Sequence, residues 1–250
     1  MKRIEYDVEG ITDIGNSKKV NQDNYVYKVG EIEGEVTGIF AVADGVGGLK
    51  NGEIASAIAI SMLNVWWDNE YRKICDNKEY IGKSLEQLFN NINHKLIEEG
   101  EKLNDKMGTT LSVMVINKNE VIICHIGDSR IYRLRKKILG YSLEKLTTDH
   151  SKEIRYEVNN EIVVKSFLTQ CLGVKPTIVS DISFNEINNK DKYIVCSDGI
   201  YKEQNDKTIK DIIVESSHAI DMCSELINNA KRLGETDNIT VIGIEIKETN

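Results

Sequence analysis

Residues 40–48 read Phe-Ala-Val-Ala-Asp-Gly-Val-Gly-Gly, a short apolar run that stops at Asp44 and continues into glycines. The apolar part has the length and composition of a buried strand, and a helical pattern begins near Gly52. Asp-Gly is also among the commonest turn pairs. Taken alone, this stretch therefore predicts only a strand that ends in a turn.

The same arrangement recurs along the chain. Acids lie at the ends of further apolar, β-prone runs: Asp128 after 121–126, Asp198 after 193–196, Asp237 before 239–244 and Asp23 before 25–27. Like charges gather at one edge of a sheet only if a counter-charge is present. If the five acids converge, the simplest counter-charge is one or two hard divalent cations held by oxygen ligands.

The order of these motifs resembles that of the metal-dependent protein phosphatases of the PP2C (PPM) family, in their bacterial form. The motifs are Asn-Gln-Asp at 21–23, Asp-Gly-Val-Gly-Gly at 44–48, Gly-Thr-Thr at 108–110, Gly-Asp-Ser-Arg at 127–130, Thr-Asp-His-Ser at 148–151, Ser-Asp-Gly at 197–199 and Asp-Asn-Ile-Thr at 237–240. The resemblance spans nearly the whole chain. It implies an α+β fold, a four-layer α-β-β-α sandwich with two mainly antiparallel sheets, in one catalytic domain over residues 1–250.

The resemblance also implies a reaction, the hydrolysis of phosphoserine and phosphothreonine in proteins. The nucleophile is a hydroxide that bridges two Mn²⁺ or Mg²⁺ ions. Asp44 matches the bridging ligand, and Asp198 and Asp237 match the ligands that complete the first metal's shell. The Gly45 carbonyl matches a ligand of the second metal, and Asp23 matches the residue that holds metal-bound water there. Together with Asp198, Asp128 matches a third, weaker metal site.

The chain departs from the family pattern at three places. Lys18 lies five residues before Asp23, where the family usually has the arginine that binds the substrate phosphate. We assign Lys18 to that role, with a solvated loop lysine as the alternative. Val46 stands where some members have a histidine that protonates the leaving group. The segment 151–167 is shorter than the usual bacterial flap, which bears on the third metal and on substrate selection.

Several other polar residues invite functional interpretations that the sequence does not favour. Ser129 and Ser197 lack a partnered histidine motif, so we predict hydrogen-bonding turn serines and not nucleophiles. His150 is predicted to be a turn residue and not a general acid. The basic triplet 135–137 is predicted to be a solvated turn between two strands.

Composition excludes several classes of protein. The 250 residues carry a net charge of −8, which argues against non-specific binding of nucleic acid. No stretch approaches the roughly 18 apolar residues of a membrane span. The five cysteines form no Cys-x-x-Cys pair, which favours free thiols in a reducing compartment. Composition therefore favours a cytoplasmic protein, and we expect a monomer. The family resemblance implies that its partners are phosphorylated proteins, substrates of a serine/threonine kinase.

Periodicity predicts helices over 52–67, 84–100, 206–214 and 218–233, separated by β-patterned segments. Strands and helices do not alternate strictly, so an antiparallel sandwich flanked by helices fits better than a parallel sheet.

Two other functions stay open. One is a catalytically weak or inactive scaffold with the same fold, and the other is a hydrolase of small phosphate esters.

Overall fold

Two five-stranded antiparallel sheets form the centre of the part of the chain that the computed structural model describes, residues 3–158 and 161–249. The first sheet contains, in spatial order, β1 (Arg3–Asp13), β12 (Ile239–Thr249), β11 (Lys192–Cys196), β6 (Arg130–Lys137) and β7 (Gly140–Lys145). The second contains β10 (Asp181–Glu186), β5 (Glu120–Ile126), β4 (Leu111–Asn117), β3 (Glu35–Asp44) and β2 (Asp23–Ile32). Neighbouring strands run antiparallel in both sheets.

The apolar strands contribute to two different cores, one on each face of their sheet. In β3, Ile39 and Ala41 pack toward the helices, whereas Phe40 and Val42 pack toward the first sheet. Successive residues of β11 pack in the same way, alternately against the helices of the first sheet and against the second sheet. Because both faces are covered, the central strands need no polar face. This explains why their sequences are nearly continuous apolar runs.

Helices cover the outer face of each sheet. On the second sheet lie α1 (Gly52–Trp66) and α3 (Lys78–Lys102), joined by a π-helical turn (Trp67–Tyr71) and the short α2 (Arg72–Ile74). On the first sheet lie α4 (Asp206–Glu215) and α5 (Ala219–Leu233). The order of layers is helix, sheet, sheet, helix, so the predicted four-layer α+β sandwich is confirmed.

Helix α3 begins at Lys78, earlier than the predicted Ser84. The reason is a cap that the apolar periodicity does not reveal: the side-chain oxygen of Asn77 accepts a hydrogen bond of 2.9 Å from the Tyr80 amide. The helix is 25 residues long but carries charged residues along its length. No helix within residues 3–158 and 161–249 is both long enough and apolar enough to cross a membrane.

The prediction of a solvated turn at residues 135–137 is wrong. All three residues belong to β6, and the turn lies one step later at Ile138 and Leu139, which are fully exposed. Arg135 is held in the sheet because its guanidinium lies 2.6 Å from the buried carboxylate of Asp191. This partner is 56 residues away in sequence, so local charge patterning could not indicate it.

The sequence analysis did not predict a hairpin that follows β7 of the first sheet and precedes β10 of the second sheet along the chain. It consists of β8 (Ser151–Val158) and β9 (Glu161–Leu168), paired antiparallel, and we call it the flap hairpin. His150 anchors its base: the His150 amide donates to the Gly127 carbonyl at 2.7 Å, and the His150 carbonyl accepts from the Thr169 amide at 2.8 Å. The prediction of His150 as a turn residue is consistent with these bonds.

Candidate active site

The acids that the sequence analysis selected lie at one edge of the sandwich. Strand β3 ends at Asp44, which is in register with Asp23, the first residue of β2. Asp128 follows β5, whose end lies beside that of β3 because β4 runs antiparallel between them. In the first sheet, Asp198 follows β11 and Asp237 precedes its antiparallel neighbour β12. Chain direction and register therefore bring the five acids to the same edge.

These acids surround a cleft of about 1020 Å³. Asp44, Asp128, Asp198 and Asp237 line it, whereas Asp23 is buried beneath, with 5% of its surface exposed. The lining also includes residues of the glycine-rich turn after Asp44, residues of the flap hairpin and two lysines, among them Gly45, Gly47, Gly48, Ser166, Phe167, Lys18 and Lys202.

The carboxylates lie close enough to disturb each other's ionisation. Burial raises the pKa of Asp44 well above its ordinary value, and the negative charges of Asp23, Asp198 and Asp128 raise it further. Burial and the charge of Asp198 raise the pKa of Asp128 to about 7. Burial raises the pKa of Asp23 to about 6, although the hydroxyl of Ser197 opposes the shift. Such shifts are typical of a cluster that needs additional positive charge.

Gly45 lies where a side chain has no room. A Cβ at this position would stand 2.4 Å from the Gly52 carbonyl oxygen and 2.8 Å from that of Gln22. The Gly45 amide donates to the Gln22 carbonyl at 3.1 Å, which fixes the turn that follows Asp44. The glycine therefore allows the Asp44 turn to pack directly on the start of helix α1.

Comparison with known proteins identifies the family. The family model described as protein phosphatase 2C matches residues 15–234. The chain is 31% identical over 250 residues to the protein phosphatase PhpP of Streptococcus pneumoniae, covering 95% of this chain and 96% of that protein. The chain belongs to the protein phosphatase 2C family. The predicted family and class of enzyme, a serine/threonine protein phosphatase, are thereby confirmed.

Two further relatives support the same assignment. The serine/threonine phosphatase stp of Listeria welshimeri is 29% identical over 245 residues, covering 94% of this chain and 93% of that protein. The crystal structure of a bacterial serine phosphatase superimposes with a TM-score of 0.82 at 22% identity, covering 98% of this chain and 100% of that one. The fold of this phosphatase is thus the fold of its family.

The donor set of this phosphatase suits a hard cation. Oδ1 of Asp23 and Oδ1 of Asp198 are buried and have no hydrogen-bond partner. Buried carboxylate oxygens without partners are costly unless a cation completes their contacts. Among the described residues, no three His, Cys, Asp or Glu side chains are already arranged closely enough to enclose a metal ion. The residues fit an oxygen-liganded metal in chemistry and lie at one edge of the sandwich, whereas in the structure lysines make the closest contacts to Asp198 and Asp237.

Lys18 and Lys202 supply the positive charge at this edge. The Lys18 ammonium lies 2.7 Å from Oδ1 of Asp237, and the Lys202 ammonium lies 3.1 Å from Oδ2 of the same residue. Lys202 also lies 2.5 Å from Oδ2 of Asp198. Burial opposes ionisation of Asp237, but the hydrogen bond from Lys18 and the charge of Lys202 hold its pKa below the ordinary value.

The two serines are engaged in structural hydrogen bonds. Ser197 Oγ donates to Oδ2 of Asp23 at 2.8 Å and accepts from the Thr240 amide at 2.9 Å. Ser129 Oγ shares a hydrogen bond of 2.8 Å with the Thr110 hydroxyl. Neither serine has a histidine partner in these contacts, in agreement with the prediction that they are not nucleophiles.

Sequence reasoning missed two residues that shape the site. Lys202 was not selected, although it lies four residues after Asp198 and its charge was a usable signal. Asn238 was noted only as part of a motif. Its side chain accepts from the Gln22 amide at 2.9 Å and donates to the Ile14 carbonyl at 2.9 Å. It therefore clamps the loop that carries Lys18 onto the start of β12, a role that depends on contacts between distant segments.

Proposed function

We propose that this chain hydrolyses phosphoserine and phosphothreonine in proteins with the help of two Mn²⁺ or Mg²⁺ ions. The observation that carries the proposal is the convergence of five aspartates at one sheet edge, with two buried carboxylate oxygens that lack partners. Oxygen-only ligands favour magnesium or manganese over zinc. Family membership supports the same reaction class.

In this proposal the metal ligands are those that the motifs suggested. Asp44 would be a ligand shared by both cations, and Asp198 and Asp237 would be the further ligands of the first. The Gly45 carbonyl would be a ligand of the second cation, with Asp23 beneath it. When bound, the cations supply an acidified water for direct attack on phosphorus and neutralise charge on the phosphoryl oxygens. Asp128, whose neighbour in the cleft is Asp198, would take part in a third, weaker site.

Lys18 is the proposed contact for the substrate phosphate. It lines the cleft, and its ammonium lies 2.7 Å from Oδ1 of Asp237, which supports a contact with a phosphate bound in the cleft. A lysine provides a compact charge instead of the two parallel hydrogen bonds of an arginine. Phosphate binding through this residue is therefore weaker than through a guanidinium.

The proposed substrates are phosphorylated proteins, the targets of a serine/threonine kinase. The cleft is wide and is bordered by the flap hairpin, where Phe167 lines the cleft and keeps 48% of its surface exposed. Such an open border suits a side chain presented by a protein. All five cysteines are free, which supports a reducing, cytoplasmic location. We further propose that residues 1–250 act as one catalytic domain and as a monomer.

An assay of the purified chain tests the proposal. A panel of phosphoserine and phosphothreonine peptides, with p-nitrophenyl phosphate as a small ester, is incubated with manganese or with EDTA. We expect turnover of the peptides only with metal. Peptides that stay intact while the small ester is hydrolysed would favour the small-ester hydrolase, and no turnover of either substrate would favour the inactive scaffold.

A further inference from the structure

Lys202 lies among the carboxylates that the proposed metals would need. Its ammonium is 2.5 Å from Oδ2 of Asp198 and 3.1 Å from Oδ2 of Asp237. The charge of Lys202 also acts on Asp128, where it partly offsets the rise in pKa that burial and Asp198 cause. The one side chain thus contacts or influences three of the five acids of the cluster.

Backbone structure delivers Lys202 to this position. A 3₁₀ turn covers Asp198–Ile200, and the Lys202 amide continues it by donating to the Asp198 carbonyl at 3.0 Å. The turn places residue 202 above residue 198, so its side chain folds back over the Asp198 carboxylate. The Lys202 side chain is 39% exposed, and its ammonium is held by the two carboxylates that it contacts. Its position is thus set by the turn and by members of the cluster.

An ammonium and a divalent cation are attracted to the same two carboxylates. Lys202 contacts Oδ2 of both residues, whereas Oδ1 of Asp198 has no partner. Each cation neutralises the repulsion between Asp198 and Asp237, so the second one to arrive gains less from these charges. A divalent ion bound there must also displace the Lys202 ammonium or lie close to a like charge. Both effects weaken metal binding.

We propose that Lys202 is an internal cation that holds the acidic cluster together without metal and competes with the divalent ion at Asp198 and Asp237. The inference rests on the proposed function, since it assumes that the metal uses these carboxylates. As a consequence, the phosphatase folds stably without metal. It also needs a higher concentration of metal for binding than the same carboxylates would need without Lys202.

Calorimetric titration of metal-free protein with MnCl₂ tests the competition, and thermal unfolding in EDTA tests the stabilisation. Lys202→Met keeps the length of the side chain and removes its charge. We expect Lys202→Met to bind manganese at least about fivefold more tightly, about 1 kcal/mol, and to unfold at a lower temperature in EDTA. Lys102→Met is the matched control, because Lys102 lies at the end of α3, pairs with Glu99 and does not line the cleft. It should match the wild type in both measurements.

Equal manganese affinity in the Lys202→Met variant and the wild type would overturn the inference, as would weaker binding by the variant. An unchanged unfolding temperature in EDTA would remove the stabilising half of the proposal. If Lys202→Met does not fold, Lys202→Gln removes the same charge and retains one hydrogen-bond donor for Asp198. A wild type that binds no manganese contradicts the proposed function itself, a result distinct from a wild type that binds as tightly as the variant.

Discussion

Two buried aspartates lie at opposite ends of strand β11, and their surroundings differ. Asp191, just before the strand, is 1% exposed and accepts hydrogen bonds from Arg135 at 2.6 Å, from the Asn188 amide at 2.9 Å and from the Tyr193 hydroxyl at 3.2 Å. Asp198, just after the strand, is 8% exposed and keeps one oxygen without a partner. Both carboxylates are buried, but only one has its contacts completed by the protein.

The difference teaches how to separate a structural carboxylate from one that serves a ligand. Burial alone does not distinguish them, because both residues are almost completely covered. The charge balance does: Asp191 faces a guanidinium, whereas Asp198 faces other acids and one shared lysine. At the end that carries Asp191 the protein completes the contacts of the buried charge, whereas at the other end one oxygen of Asp198 lacks a partner, as the proposed metal site requires.

A change in the acidic cluster next to Asp198 should have the largest effect, and the property affected should be activity. We expect Asp44→Asn to lower manganese-dependent hydrolysis of a phosphopeptide by at least about a hundredfold, because it removes a proposed metal ligand. The raised pKa of Asp44 means that its charge destabilises the folded protein near neutral pH, so the variant should unfold at a higher temperature in EDTA. Steady-state kinetics and thermal unfolding check both expectations. Turnover close to that of the wild type would remove Asp44 from the site.

Changing the opposite end of β11 should affect stability instead. Asp191→Ala leaves the Arg135 guanidinium without its carboxylate in a site where only 18% of the arginine side chain is exposed. We expect the free energy of unfolding to fall by about 2 kcal/mol, measured by urea denaturation. The double variant Asp191→Ala, Arg135→Met is the matched control and should recover part of the loss. The comparison between the two ends of β11 fails if Asp191→Ala lowers turnover per folded molecule and leaves the free energy of unfolding unchanged.

The contact at Lys18 should give a smaller effect that is confined to substrate binding. Lys18→Arg offers two parallel hydrogen bonds to phosphate, so we expect KM for a phosphopeptide to fall about two- to tenfold. Lys18→Ala should raise KM. Measurements at saturating manganese, together with inhibition by inorganic phosphate, check the assignment. Identical KM and identical phosphate inhibition in all three proteins would show that Lys18 is a solvated loop residue.

The smallest effect is expected at Asp13, an acid at the end of β1 whose lysine partner is partly exposed. Burial opposes its ionisation, but the hydrogen bond from Lys231 at 2.8 Å lowers its pKa below the ordinary 3.8. A lowered pKa means that this pair contributes stability above about pH 4 and loses it as the pH falls through the folded-state value. In Asp13→Asn, the free energy of unfolding should therefore fall slightly less between pH 7 and pH 3 than in the wild type. Urea denaturation from pH 3 to pH 7 measures it, and Lys231→Met should produce the same change.

The main features of the site were predictable from sequence because strand-end chemistry is local. Apolar runs that stop at Asp44, Asp128 and Asp198 indicate where strands leave the core, and the motif order indicates the family. The structure brings these acids to one edge, the condition on which the expected cation site depends. The absence of strict alternation between strands and helices favoured an antiparallel sandwich, and the family resemblance implied its four layers.

Features that depend on distant partners were missed or wrong. The triplet 135–137 was predicted as a turn because Asp191, the partner of Arg135, is 56 residues away. The flap hairpin was not predicted, since its sequence lacks a long apolar run and its base is held by His150 contacts to Gly127 and Thr169. Lys202 is close to Asp198 in sequence, but its contact with Asp237 crosses from one strand end to another.

By itself, the sequence determined which residues stand at the ends of strands, since turn chemistry and apolar periodicity act over a few neighbouring residues. Only the tertiary structure decided which of those charges are neutralised. Asp191 and Asp198 lie seven residues apart and flank the same strand, and nothing local separates a completed carboxylate from an incomplete one. The partners of a buried charge come from whichever segments the fold packs against it. The energy of burying that charge depends on those partners, because the protein interior screens it much less than water does.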